Sequence, residues 1–227
     1  MIRFILMDIE GTTTSIDFVH QTLFPYAAEH LADFVRAHQQ EERVEQAIAE
    51  VKATIKEETG QTSDLEGVIA ALLQWIKEDR KHTALKQLQG YMWEDGYQTG
   101  QYRGHLYPDV IPAWKRWKSK GIDLGIYSSG SVKAQQLLFG YSEAGDVTDY
   151  LSHYFDTRIG HKREADSYQN ILDRLAIPPA EVLFLSDVAE ELDAARAAGM
   201  QTIQLLRPGT TQTGSHSTAG TFDEIVF

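Results

Sequence analysis

The chain has 227 residues, enough for one large domain or for a core domain carrying a smaller insertion. Its formal net charge of −12 argues against nucleic acid as a partner, since a phosphate backbone calls for clustered Lys and Arg, and any anionic ligand would need its own local positive charge. Cysteine is absent, which excludes disulfides and thiolate metal sites and fits a reducing compartment.

The first predicted element is a buried strand, IRFILM at 2–7, which runs straight into two acids, Asp8 and Glu10, and the turn GTTT. No signal-peptide pattern accompanies it and no apolar run reaches membrane-spanning length, so the cytoplasm is the expected compartment. From Ser15 to about Gly104 strand signals disappear. Val44, Ile48, Val51 and Ile55 fall on one helical face, and Val68, Ile69, Leu72, Leu73 and Ile76 on another. Ser63, three residues before Glu66, is the expected N-cap of the second of these helices. The pattern predicts an all-helical insertion over 15–104, set into a core made of 1–14 and 105–227.

Pro108, within YRGHLYPDVIPAW, favours a turn on the return to the core. DLGIY at 123–127 then reads as a strand running into SSGS, and a further strand lies in HYFDTRIG around Phe155. A helix over 166–176 is ended by the prolines of IPPAE. VLFL at 182–185 runs into Ser186 and Asp187, and a helix over 189–198 stops at Gly199. TIQLL at 202–206 is another candidate strand, RPGTTQTGSHSTAG reads as loop, and FDEIVF as a terminal strand. Strands alternating with helices of this length predict an α/β, Rossmann-like core whose parallel sheet is covered on both faces.

In open parallel sheets ligands bind beyond the carboxyl ends of the strands. The expected strand tips offer Asp8 and Glu10, then Ser128 and Ser129 with Gly130 and Ser131, then His161 and Lys162, then Asp187 with Glu190 and Glu191 after it. Acids, hydroxyls at a helix start and a lysine suit phosphate-ester hydrolysis through a carboxylate nucleophile. An Asp approaches an anionic phosphate when a magnesium ion held by oxygen ligands neutralises both, and Asp8 and Asp187 would supply such ligands. Ser128 and Ser129 match the need for a small hydroxyl and exposed N–H groups around phosphate. Lys162 supplies the local positive charge, and Glu10 projects where a leaving oxygen needs a proton. Blander readings stand beside these: serines and Asp187 as helix caps, Glu190 and Glu191 as a solvated face, although Glu191, one turn beyond Asp187, is also a candidate for orienting the metal's water ligands.

As an ordered set, DIEGT, SSGS, GHK and LSDVAEE resemble the haloacid-dehalogenase-type phosphatase superfamily, and the helical insertion resembles its helical cap. Most such phosphatases carry Asp two residues after the nucleophile, where this chain has Glu10. That variant, with FVHQTLFPYA, LQGYMWEDGY, GHLYPDV, YSSGS and FDTRIGHK, resembles the acireductone synthase family, the bifunctional enolase-phosphatases of methionine salvage. The resemblance implies a phosphorylated diketone, 2,3-diketo-5-methylthiopentyl 1-phosphate, as substrate, one Mg²⁺ per subunit and a monomer. It implies metal on Asp8, Asp187 and the backbone carbonyl of Glu10, and phosphate on Ser128, Ser129 and Lys162. The rival within the superfamily is a phosphatase of a sugar phosphate or another small monoester. His20 and His105 are candidates for assisting enolisation, and Tyr91, Trp93 and Tyr97 for lining a pocket around the methylthio end.

Overall fold

The computed structural model describes residues 1–227. In chain order it contains β1 (Phe4–Met7), α1 (Ile16–Phe18), a π-helical turn at Val19–Leu23, then α2 (Phe24–His38), α3 (Glu42–Thr59), α4 (Leu65–Lys77) and α5 (Thr83–Gln98). The chain continues through α6 (Val110–Ser119), β2 (Asp123–Tyr127), α7 (Val132–Gly140), β3 (His153–Phe155), α8 (Ala165–Leu175), β4 (Val182–Ser186), α9 (Ala189–Ala197), β5 (Gln201–Leu205) and β6 (Ser217–Ala219). It divides into two compact units, Met1–Phe18 with Arg103–Phe227, and Val19–Tyr102.

The first unit is built on a six-stranded sheet of order β3-β2-β1-β4-β5-β6, parallel throughout. Its central strands are continuous hydrophobic runs because helices cover both faces. Successive side chains point to opposite faces. Ile5, Met7, Leu183 and Leu185 therefore join the cluster under Trp114 and Trp117 of α6. Phe4, Leu6, Val182 and Phe184 join the cluster under Tyr168 of α8 and Leu192 of α9. The chain builds outward from β1 to β2 and β3, then returns to lay β4 on the other side of β1. This reversal opens a crevice between the carboxyl ends of β1 and β4, the place where such sheets bind ligands. Asp8 and Asp187 follow these two ends.

The second unit is entirely helical. Leu31 and Val35 of α2, Val44 and Val51 of α3, Val68 and Leu72 of α4, and Leu88 of α5 bury into one shared core. Each stripe follows the three-to-four-residue helical spacing.

Three local expectations are corrected. The N-cap of α4 is Asp64 rather than Ser63, because the Asp64 carboxylate accepts the Gly67 N–H at 2.8 Å. Glu66 instead takes Arg36, at 2.7 Å from Nη2. The last strand is β6, inside the stretch expected to be loop, while Phe222–Glu224 forms a 3₁₀ turn where a terminal strand was expected. The Phe222 N–H is captured by Asp109 Oδ2 at 2.6 Å, which takes that segment out of any ladder.

Candidate active site

β1 is locked in register between Ile126 of β2 and Leu185 of β4, both level with Met7. The Asp8 N–H still donates to Leu185 O at 2.9 Å, so Asp8 leaves the sheet as a fixed continuation of the strand. The chain then folds over itself. The Ile9 carbonyl accepts from the Thr12, Thr13 and Thr14 N–H groups at 3.2, 2.9 and 3.0 Å, and Gly11 N–H donates to Thr14 O at 2.9 Å. Gly11 sits at φ +66°, a conformation that costs glycine little. Thr12, Thr13 and Thr14 are fully buried, so GTTT is a packed turn and not an open loop. From the return segment, Tyr107 N–H donates to Thr13 O at 3.0 Å, and His105 Nδ1 takes the Thr14 hydroxyl at 3.0 Å and the Ser15 N–H at 3.1 Å.

Four charged groups meet at these tips. The Lys162 ammonium lies 2.6 Å from Asp8 Oδ1 and 2.7 Å from Glu191 Oε2. Burial alone would lower the Lys162 pKa, but the two carboxylates outweigh it and hold the ammonium above its ordinary value. Glu191 also accepts from the Ser186 hydroxyl at 3.1 Å, and burial followed by the Asp8 charge pushes its carboxyl upward. The Lys162 backbone is pinned in turn, because Tyr168 OH donates to Lys162 O at 2.7 Å and Tyr127 OH to Gly160 O at 2.9 Å.

Asp187 stands against the turn itself. A Cβ on Gly11 would come within 2.2 Å of Asp187 Oδ2, so only glycine leaves room for this carboxylate. Burial, then the charge of Asp8, pushes the Asp187 carboxyl up to about 7, with Glu10 adding to the effect. The helix-cap reading of Asp187 does not hold, since the Ser186 hydroxyl takes the Val188 N–H at 3.1 Å and α9 has no side-chain cap.

At the β2 tip Ser128 is buried, with its N–H on Phe155 O at 3.2 Å and its hydroxyl accepting from Gly130 N–H at 3.1 Å. Ser129 is exposed on the same turn. The cap of α7 is the next serine, Ser131, which accepts from Ala134 N–H at 3.3 Å. Capping therefore falls to Ser131 and not to Ser128 or Ser129.

The structure brings Asp8, Lys162 and Glu191 into direct contact, sets Asp187 on Gly11, and places Ser128 and Ser129 on the neighbouring strand tip. Of the two readings of Glu191, the solvated face does not hold: it lies four residues after Asp187, buried on the inner side of α9 and paired with Lys162. Glu190 is exposed, as a face residue should be. His105 is engaged in holding the turn. His20 packs edge-on against Phe24, with ring centroids 5.5 Å apart. Trp93 donates to Leu23 O at 2.9 Å and Tyr97 is buried against Tyr102, so both serve packing of the helical unit.

No three His, Cys, Asp or Glu side chains cluster as a ready metal cage. The donor set available here is two carboxylates, Asp8 and Asp187, with the Glu10 carbonyl between them in sequence. Oxygen donors of this kind suit a hard cation. The cradle over Gly11 and the raised Asp187 pKa mark a place short of positive charge, so the residues fit a divalent ion.

The family model for haloacid dehalogenase-like hydrolases matches residues 2–199, and the chain belongs to that family. The enolase-phosphatase E1 of Picosynechococcus sp. is 50% identical over 225 residues, spanning 99% of this chain and 98% of the relative. That of Pseudomonas aeruginosa strain LESB58 is 54% identical over 226 residues, spanning 99% and 98%. Within the family the chain therefore stands among the enolase-phosphatases E1. The crystal structure of the UTR4 protein of Saccharomyces cerevisiae superposes with a TM-score of 0.81 at 36% identity, covering 99% of this chain and all of that one. The haloacid-dehalogenase-type phosphatase of Thermococcus onnurineus shares the fold, with a TM-score of 0.62 at 18% identity over 98% of this chain and 95% of that one.

Proposed function

We propose that this protein is a Mg²⁺-dependent enolase-phosphatase of methionine salvage. It enolises 2,3-diketo-5-methylthiopentyl 1-phosphate and then removes the phosphate to give the acireductone 1,2-dihydroxy-3-keto-5-methylthiopentene. The observation that carries this reading is the Asp8–Lys162 contact at the tip of β1, with Glu10 two residues on, in a chain matched end to end by enolase-phosphatases.

In this reading Asp8 attacks phosphorus. An Asp8–phosphorus bond forms as the bond from phosphorus to the enol oxygen breaks, and Glu10 gives its proton to the departing oxygen. Glu10 then takes a proton from water, whose oxygen bonds phosphorus and frees Asp8. Lys162 carries three N–H donors. Asp8 and Glu191 take two, and the third is assigned to a phosphate oxygen, alongside Ser128 and Ser129. Asp8, Asp187 and the Glu10 carbonyl would hold the Mg²⁺. When bound, the ion supplies the positive charge that lets a carboxylate approach an anionic phosphate. The helical unit is assigned the role of the superfamily's helical cap. The working form is assigned as a cytoplasmic monomer; no helix is long and apolar enough to cross a membrane.

The test is turnover of the diketone phosphate followed in parallel by ultraviolet absorbance and phosphate release. An enol transient that forms and then decays to product is the expected result, and Asp8→Asn abolishes phosphate release. Release from unrelated monoesters with no transient would overturn the enolase part in favour of a general small-molecule phosphatase. Near-normal release by Asp8→Asn would remove the nucleophile assignment.

A further inference from the structure

Arg207 opens a stretch that reads as loop, yet its side chain is buried and two of its three nitrogens are spent on one carbonyl. Nε and Nη2 both donate to the Thr12 carbonyl, at 3.1 and 2.9 Å. Nη1 pairs with the Asp109 carboxylate at 2.9 Å and reaches the Gly220 carbonyl at 3.4 Å, and the guanidinium carbon lies 4.2 and 5.0 Å from the ring centroids of Tyr107 and Phe222. A planar fork bonded at all three nitrogens, one of them to a buried carboxylate, and close to two rings is fixed in orientation. A surface stabiliser would have no need of that.

The Thr12 carbonyl belongs to the peptide whose N–H, on Thr13, donates to Ile9 O at 2.9 Å. The Ile9 carbonyl in turn belongs to the peptide that carries the Glu10 nitrogen. The chain of bonds therefore runs from Asp109 through Arg207, Thr12 and Ile9 to the peptide plane from which Glu10 projects. Linked hydrogen bonds of this kind polarise and stiffen one another. We propose that Arg207 is a positioning residue for Glu10, acting through the Thr12 carbonyl, with Asp109 orienting the guanidinium. This rests on the reading of Glu10 as the acid and base of the phosphatase steps.

Loosening the turn should harm the second step more than the first. An enol oxygen is a fair leaving group, whereas water must lose a proton to attack the phosphorylated Asp8. The experiment uses Arg207→Lys, which keeps the charge and loses the fork. Turnover of the diketone phosphate with saturating Mg²⁺ is quenched rapidly, and the fraction of protein phosphorylated at Asp8 is read by intact mass. The expected result is a kcat lower by about 10- to 100-fold, as a misplaced catalytic group produces. KM stays within about threefold of the wild-type value, and the phosphorylated fraction rises severalfold. A general loss of folded enzyme would lower kcat without raising that fraction, and this outcome overturns the proposal.

Glu10→Gln is run beside it. Accumulation there without accumulation in Arg207→Lys also overturns the proposal, while no accumulation in Glu10→Gln overturns the reading of Glu10 on which it stands. Should Arg207→Lys fail to fold, Asp109→Asn is judged by the same two readouts and the same criterion.

Discussion

Lys162 sets its ammonium 2.6 Å from Asp8 Oδ1, and both side chains are buried. The carboxylate at the tip of β1 is thus kept beside a cation that neither solvent nor salt can readily replace. Removing the cation leaves Asp8 and Glu191 as buried carboxylates with nothing between them. Lys162→Met should abolish phosphate release and lower the unfolding free energy by about 3 kcal/mol, the scale for breaking a buried pair from one side. Urea titration followed by circular dichroism measures it. Adding Glu191→Gln to that variant should return part of the stability and none of the activity.

Asp187 offers a test of the cation site that does not depend on turnover. Its carboxyl is pushed up to about 7 by burial and the neighbouring Asp8 charge, a penalty that a bound divalent ion would relieve. Mg²⁺ should raise the melting temperature of the wild-type protein, by an amount equivalent to about 2.7 kcal/mol at a hundredfold excess over Kd. Asp187→Asn should lose most of that shift. Chelation should stop phosphate release, and Mg²⁺ should restore it.

Gly11 and Gly60 share a left-handed backbone, at φ +66° and +72°, but differ in what surrounds them. A Cβ at Gly11 collides with the Asp187 carboxylate, whereas nothing lies within 4 Å of one at Gly60. Both alanine variants should lose about 1–3 kcal/mol for the backbone alone. Only Gly11→Ala should also lose activity and the Mg²⁺-induced thermal shift. Equal activity in the two variants would remove the cradle from the site.

Asp156 ties the β3 tip to the start of α7. Burial acts to raise its pKa, but Arg158 and the N–H groups of Arg158 and Val132 outweigh it and hold the carboxyl below its ordinary range. A folded-state pKa depressed in this way adds stability that is fully present above the unfolded value and is lost as pH falls through the folded one. The stability gap between wild type and Asp156→Asn should therefore be widest near neutrality and close in acid, below about pH 4. Denaturant midpoints measured across that range would show it.

The central strands could be read from sequence because burial on both faces leaves continuous apolar runs, as in FILM and VLFL. β6 could not, since Ser217 and Thr218 are exposed on an edge and carry no such signal. In FDEIVF the apolar residues mislead, because Phe222 and Ile225 bury into the core from a turn. At the site, Asp8, Lys162 and Asp187 were legible from their order along the chain. Glu191 was obscured because the cation that makes its burial tolerable arrives from a distant loop. Arg207 opens a stretch that reads as loop, and Asp109 lies inside GHLYPDV with nothing to mark its partner; their pairing appears only once the fold sets them together.

The place of β1 in the sheet also governs when a site can exist. Phe4 pairs with Asp123 on one side and with Val182 on the other, so the earliest strand of this chain to be synthesised waits longest for its neighbours. The helical segment between is contiguous and closes through near-sequence contacts, which form fast, whereas β1 depends on long-range pairing, which forms slowly. During that interval an apolar strand stands unpaired, and its exposure to aggregation ends only when β4 has emerged and docked. The strand that carries Asp8 at its tip is thus the keystone of the sheet, and the cluster of Asp8, Lys162 and Asp187 is assembled only in the last stages of folding.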